Sequence, residues 1–267
     1  MVFQLNQIPS NTQIRKCIRR IRFGKHVRCP RCGTRKISVS EQRYRCLRCR
    51  RPFSLLTGTF LEGMRLSYRT LWALLWCWTQ QVPVKQTMAL CGLSHKSVRR
   101  AFALFRAQIP EEFTLLEGNV QLDEAFFGGK RGLALMLGKQ IGTRKLAHAI
   151  VPVDVQRGHA FQFLAQNVRP KTRLQTDGGG IYRNIHRWWP VEHRKDIHAK
   201  WEFALTSEVE GMFGNLRTFL RRMYHHVSVT YFPAYAGEFC ARFSHPETFT
   251  SPLSFLEISL SPVPSGS

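Results

Sequence analysis

Hydrophobic and polar positions divide the chain into three regions with different patterns. Residues 1–62 are basic and cysteine-rich and contain no long periodic segment. Residues 66–109 repeat apolar side chains at helical spacing, whereas residues 117–232 alternate strand-like runs with polar breaks and end in a long amphipathic helix. Residues 246–267 are rich in Ser and Pro, which predicts a flexible tail. The pattern predicts an α+β multidomain chain, with boundaries at 1–62, 63–112, 113–245 and 246–267.

The middle region predicts a helix over about 68–81, followed by a helix–turn–helix segment over 84–109. Ser94 is a suitable N-cap for the second of these two helices, and Pro110 follows its end. In DNA-binding helix-turn-helix motifs this second helix enters the major groove. Its exposed face is predicted to carry three basic residues: Lys96, Arg99 and Arg100. A hairpin of two helices that only pack together gives the same pattern, so both interpretations stay open.

Carboxylates occur at unexpected positions in the strand-like region. The apolar run "VQLDEAFFGG" contains Asp123 and Glu124, which strand alternation places on opposite faces, so one of the two is expected to be a site residue. Residues 145–166 predict two strands joined near 156–158. Asp177 then follows the strand-like "TRLQT" and precedes three glycines. A strand end of this kind exposes a carboxylate, although an ordinary Asp-Gly turn is the alternative.

A third acid lies on the helix predicted within "LTSEVEGMFGNLRTFLRRMYHHVS". Its apolar residues form one stripe at helical spacing: Val209, Met212, Phe213, Leu216 and Leu220. Glu210 flanks the stripe, and the alternative for Glu210 is a capping box with Ser207. Acids on a strand, at a strand end and on a later helix are arranged as in ribonuclease H-like nucleases, where such carboxylates converge on two Mg²⁺ or Mn²⁺ ions.

The charge balance indicates a polyanionic partner. The chain has 40 Lys and Arg against 17 Asp and Glu, a formal net charge of +23. Residues 1–65 alone hold 16 basic and 2 acidic residues. Excess charge can serve solubility, but a surplus of this size more often marks a nucleic-acid-binding protein. The sequence contains no apolar run of membrane-spanning length and no secretory signal pattern, so we expect a cytoplasmic protein without a membrane partner.

Four cysteines have the spacing of a metal site. They form a C-x2-C-x13-C-x2-C pattern: Cys29, Cys32, Cys46 and Cys49. Two such pairs predict a zinc ribbon that holds one structural Zn²⁺, and a cytosolic chain disfavours the alternative of disulfides. Arginines and lysines surround the cysteines in sequence, which favours a DNA-docking module. A zinc-stapled domain that binds another protein is the alternative.

Three segments together resemble a known family. In this order, "LDEAFFGGKR", "TDGGGIY" and "EVEGMFGNLRTFLRRMYHHVS" are similar to the insertion-sequence transposases of the ISXO-like group. That family has a zinc ribbon, a helix-turn-helix and a DDE domain of ribonuclease H-like fold. The resemblance implies that three acids are the catalytic, magnesium-binding residues: Asp123, Asp177 and Glu210. It also places Arg217 where the family usually has a DNA-contacting Lys, and Lys130 and Arg131 follow the first motif strand in a basic loop.

The resemblance implies a DNA transposase. Such an enzyme would cleave double-stranded DNA at the ends of its element in a metal-dependent reaction and join the freed 3′-hydroxyl to target DNA. Two ends must be held together, so a homodimer or higher oligomer is expected. The alternatives are a catalytically decayed remnant or a zinc-ribbon DNA-binding regulator, and a nuclease for hairpin or RNA–DNA substrates.

Overall fold

The computed structural model describes residues 8–40, 43–110, 115–129, 132–195 and 207–260. The chain forms two compact units, the first made of Met1–Ile109 with Glu247–Ser267 and the second of Pro110–Pro246. Within the described residues, no helix combines the length and the apolar character that a membrane span requires. Helices and a mixed sheet occur together, which confirms the predicted α+β class.

The first unit begins with a helix that the sequence pattern did not predict. Helix α1 spans Asn11–Phe23 and starts with a capping box between Ser10 and Gln13. Ile14 and Ile18 are fully buried one turn apart. Arg22, one turn further, is also buried, and its guanidinium donates to the carbonyl oxygens of residues 55 and 57 at 2.5 and 2.8 Å. An arginine therefore occupies the third position of the buried face of α1, and its hydrogen bonds hold α1 to the backbone at residues 55 and 57.

The zinc ribbon is a small antiparallel sheet. Its strands are β1 (Ile37–Ser40), β2 (Arg43–Cys46) and β3 (Pro52–Phe53), in the order β1-β2-β3. Tyr44 of β2 stacks on Phe53 of β3 with ring centroids 5.3 Å apart, which provides the apolar side of this sheet. The ribbon confirms the hairpin that the spacing of the cysteine pairs predicted.

Three helices follow the ribbon. They are α2 (Tyr68–Thr79), α3 (Val84–Cys91) and α4 (His95–Arg106). Gly92 ends α3 in the left-handed conformation, with φ of 63°, and Ser94 caps α4 by accepting a hydrogen bond from the N–H of Ser97. The helix, turn and helix predicted over 84–109 are therefore present, and the choice of Ser94 as the N-cap is confirmed.

The expectation of a flexible tail is wrong for residues 252–259. Helix α8 spans Pro252–Ser259, and its Phe255 is fully buried. The ring of Phe255 meets that of Trp78 of α2 edge-on at 4.9 Å and packs near Phe105 of α4 at 6.3 Å. These aromatic side chains outweigh the Ser and Pro content of the segment because their burial contributes far more free energy than turn propensity. Residues 261–267 lie outside the described part of the chain.

The second unit contains a five-stranded mixed sheet. Its strands are β4 (Asn119–Phe127), β5 (Leu133–Gln140), β6 (Leu146–Pro152), β7 (Arg173–Thr176) and β8 (Glu192–Lys195). The order is β6-β5-β4-β7-β8. The β4–β5 and β5–β6 pairs are antiparallel, whereas β7 runs parallel to both β4 and β8. This is the ribonuclease H-like arrangement that was expected for the domain.

One predicted strand of this domain is a helix. Residues 157–166 were expected to form the second strand of a hairpin, but α5 spans Arg157–Asn167. The N–H of Gln156 donates to Nδ1 of His159, which starts the helix. Ala160, Phe163 and Leu164 are buried against the sheet at helical spacing, while Phe161 remains 43% exposed. The alternation of Phe161 and Phe163 in the sequence is typical of a strand, which explains the wrong prediction. In the structure the consecutive residues Phe163 and Leu164 are both buried, as on one face of a helix.

Two helices complete the second unit. They are α6 (Ser207–Tyr224) and α7 (Phe232–Ser244). All five residues of the predicted α6 stripe are buried. Between α6 and α7, the carboxylate of Glu238 accepts from Tyr224 Oη at 2.8 Å and pairs with Arg242 at 2.9 Å, with both charged side chains buried. This fully bonded network fixes the carboxyl end of α6 to α7.

Candidate active site and zinc centre

Two of the three candidate acids occupy equivalent positions on neighbouring parallel strands. In the β4–β7 register, Val120 lies opposite residue 174 and Gln121 opposite Gln175. The same offset relates Asp123 of β4 to Asp177, and each lies two positions beyond the last paired residue, Asp177 being the first residue after β7. Adjacent strands are about 4.8 Å apart and their side chains alternate with period two. The register therefore brings Asp123 and Asp177 to neighbouring positions at the carboxyl end of β7.

Helix α6 begins against Gln121 of this sheet. Oε1 of the buried Gln121 accepts the backbone N–H of Val209 at 3.0 Å. The ammonium of Lys139, which pairs with Gln121 across β4 and β5, lies 3.1 Å from the carboxylate of Glu208. These two contacts hold the first turn of α6 against the sheet. Glu210, the next residue after the buried Val209, is exposed on that first turn.

Local hydrogen bonds orient the two aspartates. Oδ1 of Asp123 accepts the N–H of Glu124 at 2.8 Å, and Oδ1 of Asp177 accepts the N–H of Gly179 at 3.0 Å. A Cβ added to Gly179 would lie 2.9 Å from that same oxygen of Asp177. Glycine at position 179 is thus a steric requirement for the carboxylate, because a side chain there would displace it. Part of the three-glycine run that follows Asp177 therefore serves the candidate site.

Glu124 is a site neighbour whose partner the sequence did not indicate. Tyr182, fully buried in the core on the opposite side of the sheet from Gln121, donates its hydroxyl to Oε2 of Glu124 at 2.5 Å. Burial raises the pKa of Glu124 to about 7, with the hydrogen bond from Tyr182 acting against the shift and the nearby charges of Asp123 and Asp177 adding to it. The two neighbouring acids of β4 thus have different environments, as strand alternation predicted.

Replacing Glu124 with Gln is expected to change how stability depends on pH. The pKa of Glu124 is higher in the folded protein than the ordinary 4.5, so between pH 4.5 and about 7 the folded state binds more protons than the unfolded state. Stability therefore falls as pH rises through this window in the wild type. Gln retains an acceptor for Tyr182 and removes the titration. Scanning calorimetry of zinc-loaded protein without magnesium should show a smaller decrease in Tm between pH 5.5 and 8 for Glu124→Gln.

The matched control for this experiment is Glu117→Gln. Glu117 is exposed and pairs at the surface with Lys145 and Arg169, at 3.9 and 3.4 Å. Such pairs contribute little, so this variant should keep the wild-type pH profile. If the Tm of wild type and of Glu124→Gln decreased equally between pH 5.5 and 8, the raised pKa of Glu124 would be contradicted.

The three candidate acids do not form a closed ligand cluster in the structure. Among the described residues, the group whose ligand atoms all lie within 4.8 Å of one another consists of cysteines, not carboxylates. Chemically, the acids offer hard oxygen ligands, which fit Mg²⁺ or Mn²⁺. The β4–β7 register brings Asp123 and Asp177 to neighbouring positions, and Glu210 stands on the first turn of α6, which Gln121 of β4 contacts. The donor set therefore fits a divalent cation, with α6 supplying its third member.

The cysteines form a closed tetrahedral site in the ribbon. The members are Cys29, Cys32, Cys46 and Cys49. Sγ of Cys29 lies 3.7 Å from Sγ of Cys49, and Sγ of Cys32 lies 3.5 Å from Sγ of Cys46. Zinc–sulfur bonds of about 2.3 Å in a tetrahedron place the sulfurs about 3.8 Å apart. The observed separations fit a structural Zn²⁺, as the spacing in the sequence predicted.

Backbone geometry prepares these thiols for a metal. Burial opposes ionisation of Cys46, but hydrogen bonds from the backbone and side chain of Cys49, the side chain of Cys32 and the backbone of Arg48 lower its pKa to about 6. A thiolate is the form that binds zinc. Gly33, with φ of 68°, directly follows the first cysteine pair and allows its tight turn.

The candidate DNA-binding residues differ in exposure. On α4, Lys96 and Arg100 are exposed, whereas Arg99 is half-buried. Two of the three basic residues predicted on the exposed face of α4 are therefore fully accessible to DNA. Arg217 of α6 is exposed, and its guanidinium lies 5.9 Å from the ring centroid of Phe127. Lys130 and Arg131 lie outside the described residues.

Comparison with known families agrees with both parts of this description. Residues 115–244 match the model of the ISXO2-like transposase domain, and residues 9–52 match that of a transposase zinc-ribbon domain. The first match spans the mixed sheet with α5, α6 and α7, and the second spans α1 and the four cysteines. Among curated proteins, none matches this chain.

Proposed function

Because the chain belongs to the ISXO2-like family of insertion-sequence transposases, we propose that it cleaves DNA at the ends of its element and transfers the freed 3′-hydroxyl into target DNA. Asp123, Asp177 and Glu210 are the proposed catalytic acids. The observation that supports the proposal is the β4–β7 register, by which Asp123 and Asp177 each lie two positions beyond a paired residue, together with the contact of Gln121 to the first turn of α6.

The three carboxylates would hold Mg²⁺ or Mn²⁺. When bound, a pair of such ions activates the attacking water or 3′-hydroxyl and stabilises the leaving oxygen. The net charge of +23 favours DNA binding but not cation binding, so the ions need local negative charge. This need for local negative charge explains why a chain with few acids places Asp123, Asp177 and Glu210 in this domain.

Other residues of the domain position the acids. Gln121 and Lys139 fix the first turn of α6, and thereby Glu210, relative to β4. Gly179 leaves room for the carboxylate of Asp177. Tyr182 holds the carboxyl group of Glu124 by a hydrogen bond, close enough to Asp123 and Asp177 for their charges to act on it. These contacts favour a preorganised constellation, with Asp123 on a strand, Glu210 on a helix and Asp177 directly after β7.

DNA binding is assigned to basic residues of both units. Arg217 shares the exposed face of α6 with Glu210, two helical turns and about 10 Å along the axis. Lys96, Arg99 and Arg100 of α4 and the arginines of the zinc ribbon are proposed to recognise the element ends, and Lys130 and Arg131 are proposed to contact DNA phosphates. Holding two ends requires a homodimer or a larger assembly on DNA.

The function is tested by strand cleavage and joining with DNA that carries the gene's own flanking ends. With Mg²⁺ or Mn²⁺, wild type should cleave and join, and Glu210→Gln should lose at least about 100-fold in rate, because losing even a residue that only supports a metal ligand costs 10- to 100-fold. Glutamine can replace glutamate in a capping box, so the thermal stability should not change. The matched control is Glu117→Gln, the same substitution at an exposed glutamate that forms surface ion pairs with Lys145 and Arg169, which should retain activity.

The outcomes separate the competing functions. Metal-dependent joining that is lost only in Glu210→Gln would support a working transposase. Tight DNA binding without cleavage under either metal would favour a decayed remnant or a DNA-binding regulator, and the role of Glu210 as a helix cap would then be preferred. Cleavage of hairpin or RNA–DNA substrates in preference to element ends would favour the nuclease.

A further inference from the structure

A basic cavity with an aromatic wall lies at the end of β4, beside the proposed active site. Its volume is about 250 Å³, and its lining includes Phe127, Phe232, Arg217, Arg221 and His225. Phe127 is the last residue of β4, four residues after Asp123. At about 3.4 Å per residue, the cavity lies roughly 14 Å along the strand from the proposed metal ligands.

The cavity combines a stacking surface with positive charge. Phe127 and Phe232 stack with ring centroids 4.2 Å apart and an interplanar angle of 29°. The guanidinium of Arg217 stands over the Phe127 ring. Arg217 and Arg221 are exposed one turn apart on α6, followed by the exposed His225, and no acid is among the described residues that line the cavity. Aromatic rings beside arginines are the features by which proteins bind unpaired bases and their phosphates.

Tight backbone packing gives the cavity a fixed wall. Gly128 has φ of +87°, and a Cβ added there would lie 2.5 Å from Cγ2 of Val229. The chain can therefore turn directly after Phe127 only with glycine at this position. Val229 belongs to the connection between α6 and α7, which leads to Phe232 of α7. The stacking wall is thus held from both sides by the fold.

We propose that this cavity binds one unpaired nucleotide of the DNA near the cleavage position. The base displaces the exposed guanidinium of Arg217 from the ring of Phe127 and packs on that ring, and the guanidinium groups of Arg217 and Arg221 bind its phosphate. A volume below the roughly 300–1,000 Å³ of pockets for drug-sized ligands suits a single flat ring system. One duplex step is 3.4 Å per strand, so 14 Å places the nucleotide within about four steps of the scissile phosphate. This inference rests on the proposed function, because it takes DNA as the substrate of the neighbouring acids.

The test measures the affinity of the full zinc-loaded chain for three kinds of duplex in the absence of magnesium. The duplexes carry the element end and contain a single unpaired nucleotide, an abasic residue at the same place, or full pairing, with the position scanned over the first four steps. At one position, wild type should prefer the unpaired base to the abasic residue by about 5- to 150-fold, since base–aromatic stacking contributes about 1–3 kcal/mol.

Matched variants separate stacking from charge. Phe127→Leu should lose the preference for the unpaired base and keep the affinity for the abasic duplex, whereas Phe127→Tyr should keep the preference. Phe161→Leu, the same substitution at an exposed phenylalanine elsewhere in the domain, should behave as wild type. Arg221→Gln should weaken binding to all three duplexes and reduce the salt slope by about one.

Two results would overturn the inference. If wild type binds and cleaves element ends but shows no preference for the unpaired base at any position, the cavity contacts only duplex phosphates, and the proposed function stands without it. If the chain binds none of the duplexes, the proposed function fails together with the inference.

Discussion

Asp123→Asn is expected to abolish strand cleavage and joining while DNA binding persists. Asparagine matches aspartate in size, and its side-chain oxygen can still accept the N–H of Glu124, so the end of the β4–β7 ladder is preserved. The substitution removes one negative charge from a pair of carboxylates on adjacent strands, which weakens binding of a divalent cation. We expect the rate of cleavage with Mg²⁺ to fall at least about 100-fold, and the dissociation constant for element-end DNA to change little.

The control for this experiment is Asp154→Asn. Asp154 lies after β6 and accepts a hydrogen bond from Gln156, away from the β4–β7 pair. It should cleave and join at the wild-type rate. Rates are compared in a gel assay of strand cleavage, and DNA affinity in a separate titration. Normal cleavage by Asp123→Asn would mean that the metal site is assigned to the wrong residues.

Features defined by short-range periodicity could be predicted from the sequence. Alternation along β4 placed Asp123 and Glu124 on opposite faces, and the structure has Gln121 bonded to α6 on one face and Glu124 bonded to Tyr182 on the other. The apolar stripe of α6 and the paired cysteines were predictable for the same reason. A repeat of two or 3.6 residues, or a two-residue spacing between ligands, depends on local geometry alone.

Features that depend on distant partners could not be predicted in this way. Tyr182 meets Glu124 across 58 residues, and nothing near either residue indicates the hydrogen bond. The sequence suggests a surface charge at Arg22, but the side chain is buried because two carbonyl oxygens 33 and 35 residues away accept hydrogen bonds from its guanidinium. The helix containing Phe255 exists through packing on Trp78, and its local composition favours disorder. In each case tertiary contacts override the local signal.

The positions of Asp123 and Asp177 were predictable only in part. The sequence identified both acids and placed each within or at the end of a strand. It did not indicate that β7 pairs directly with β4, nor in which register. A shift of one residue would turn one carboxylate to the opposite face. The chain reaches β7 from β4 only after passing through β5, β6 and α5. The pairing of β4 with β7 is therefore a long-range feature, and it determines whether the two acids can share a cation.

Cys46→Ser is expected to cost the ribbon its metal and its fold. Structural zinc contributes about 10–16 kcal/mol in zinc-finger peptides at pH 7, which is comparable to the whole 5–15 kcal/mol stability of a typical domain. A three-strand sheet whose last strand has two residues cannot replace that contribution. Zinc content should fall from near one per chain to near zero, and hydrogen exchange should show loss of protection over residues 25–55.

Cys17→Ser supplies the matched control for the zinc measurement. Cys17 is a half-buried free cysteine of α1 and is not a member of the four-cysteine cluster. This variant should retain one zinc per chain and the protection of the ribbon. In Cys46→Ser the mixed sheet of the second unit should keep its protection, because that unit has its own core around Val120, Phe163 and Leu174. A metal-free Cys46→Ser protein with an intact N-terminal fold would show that the ribbon does not depend on zinc.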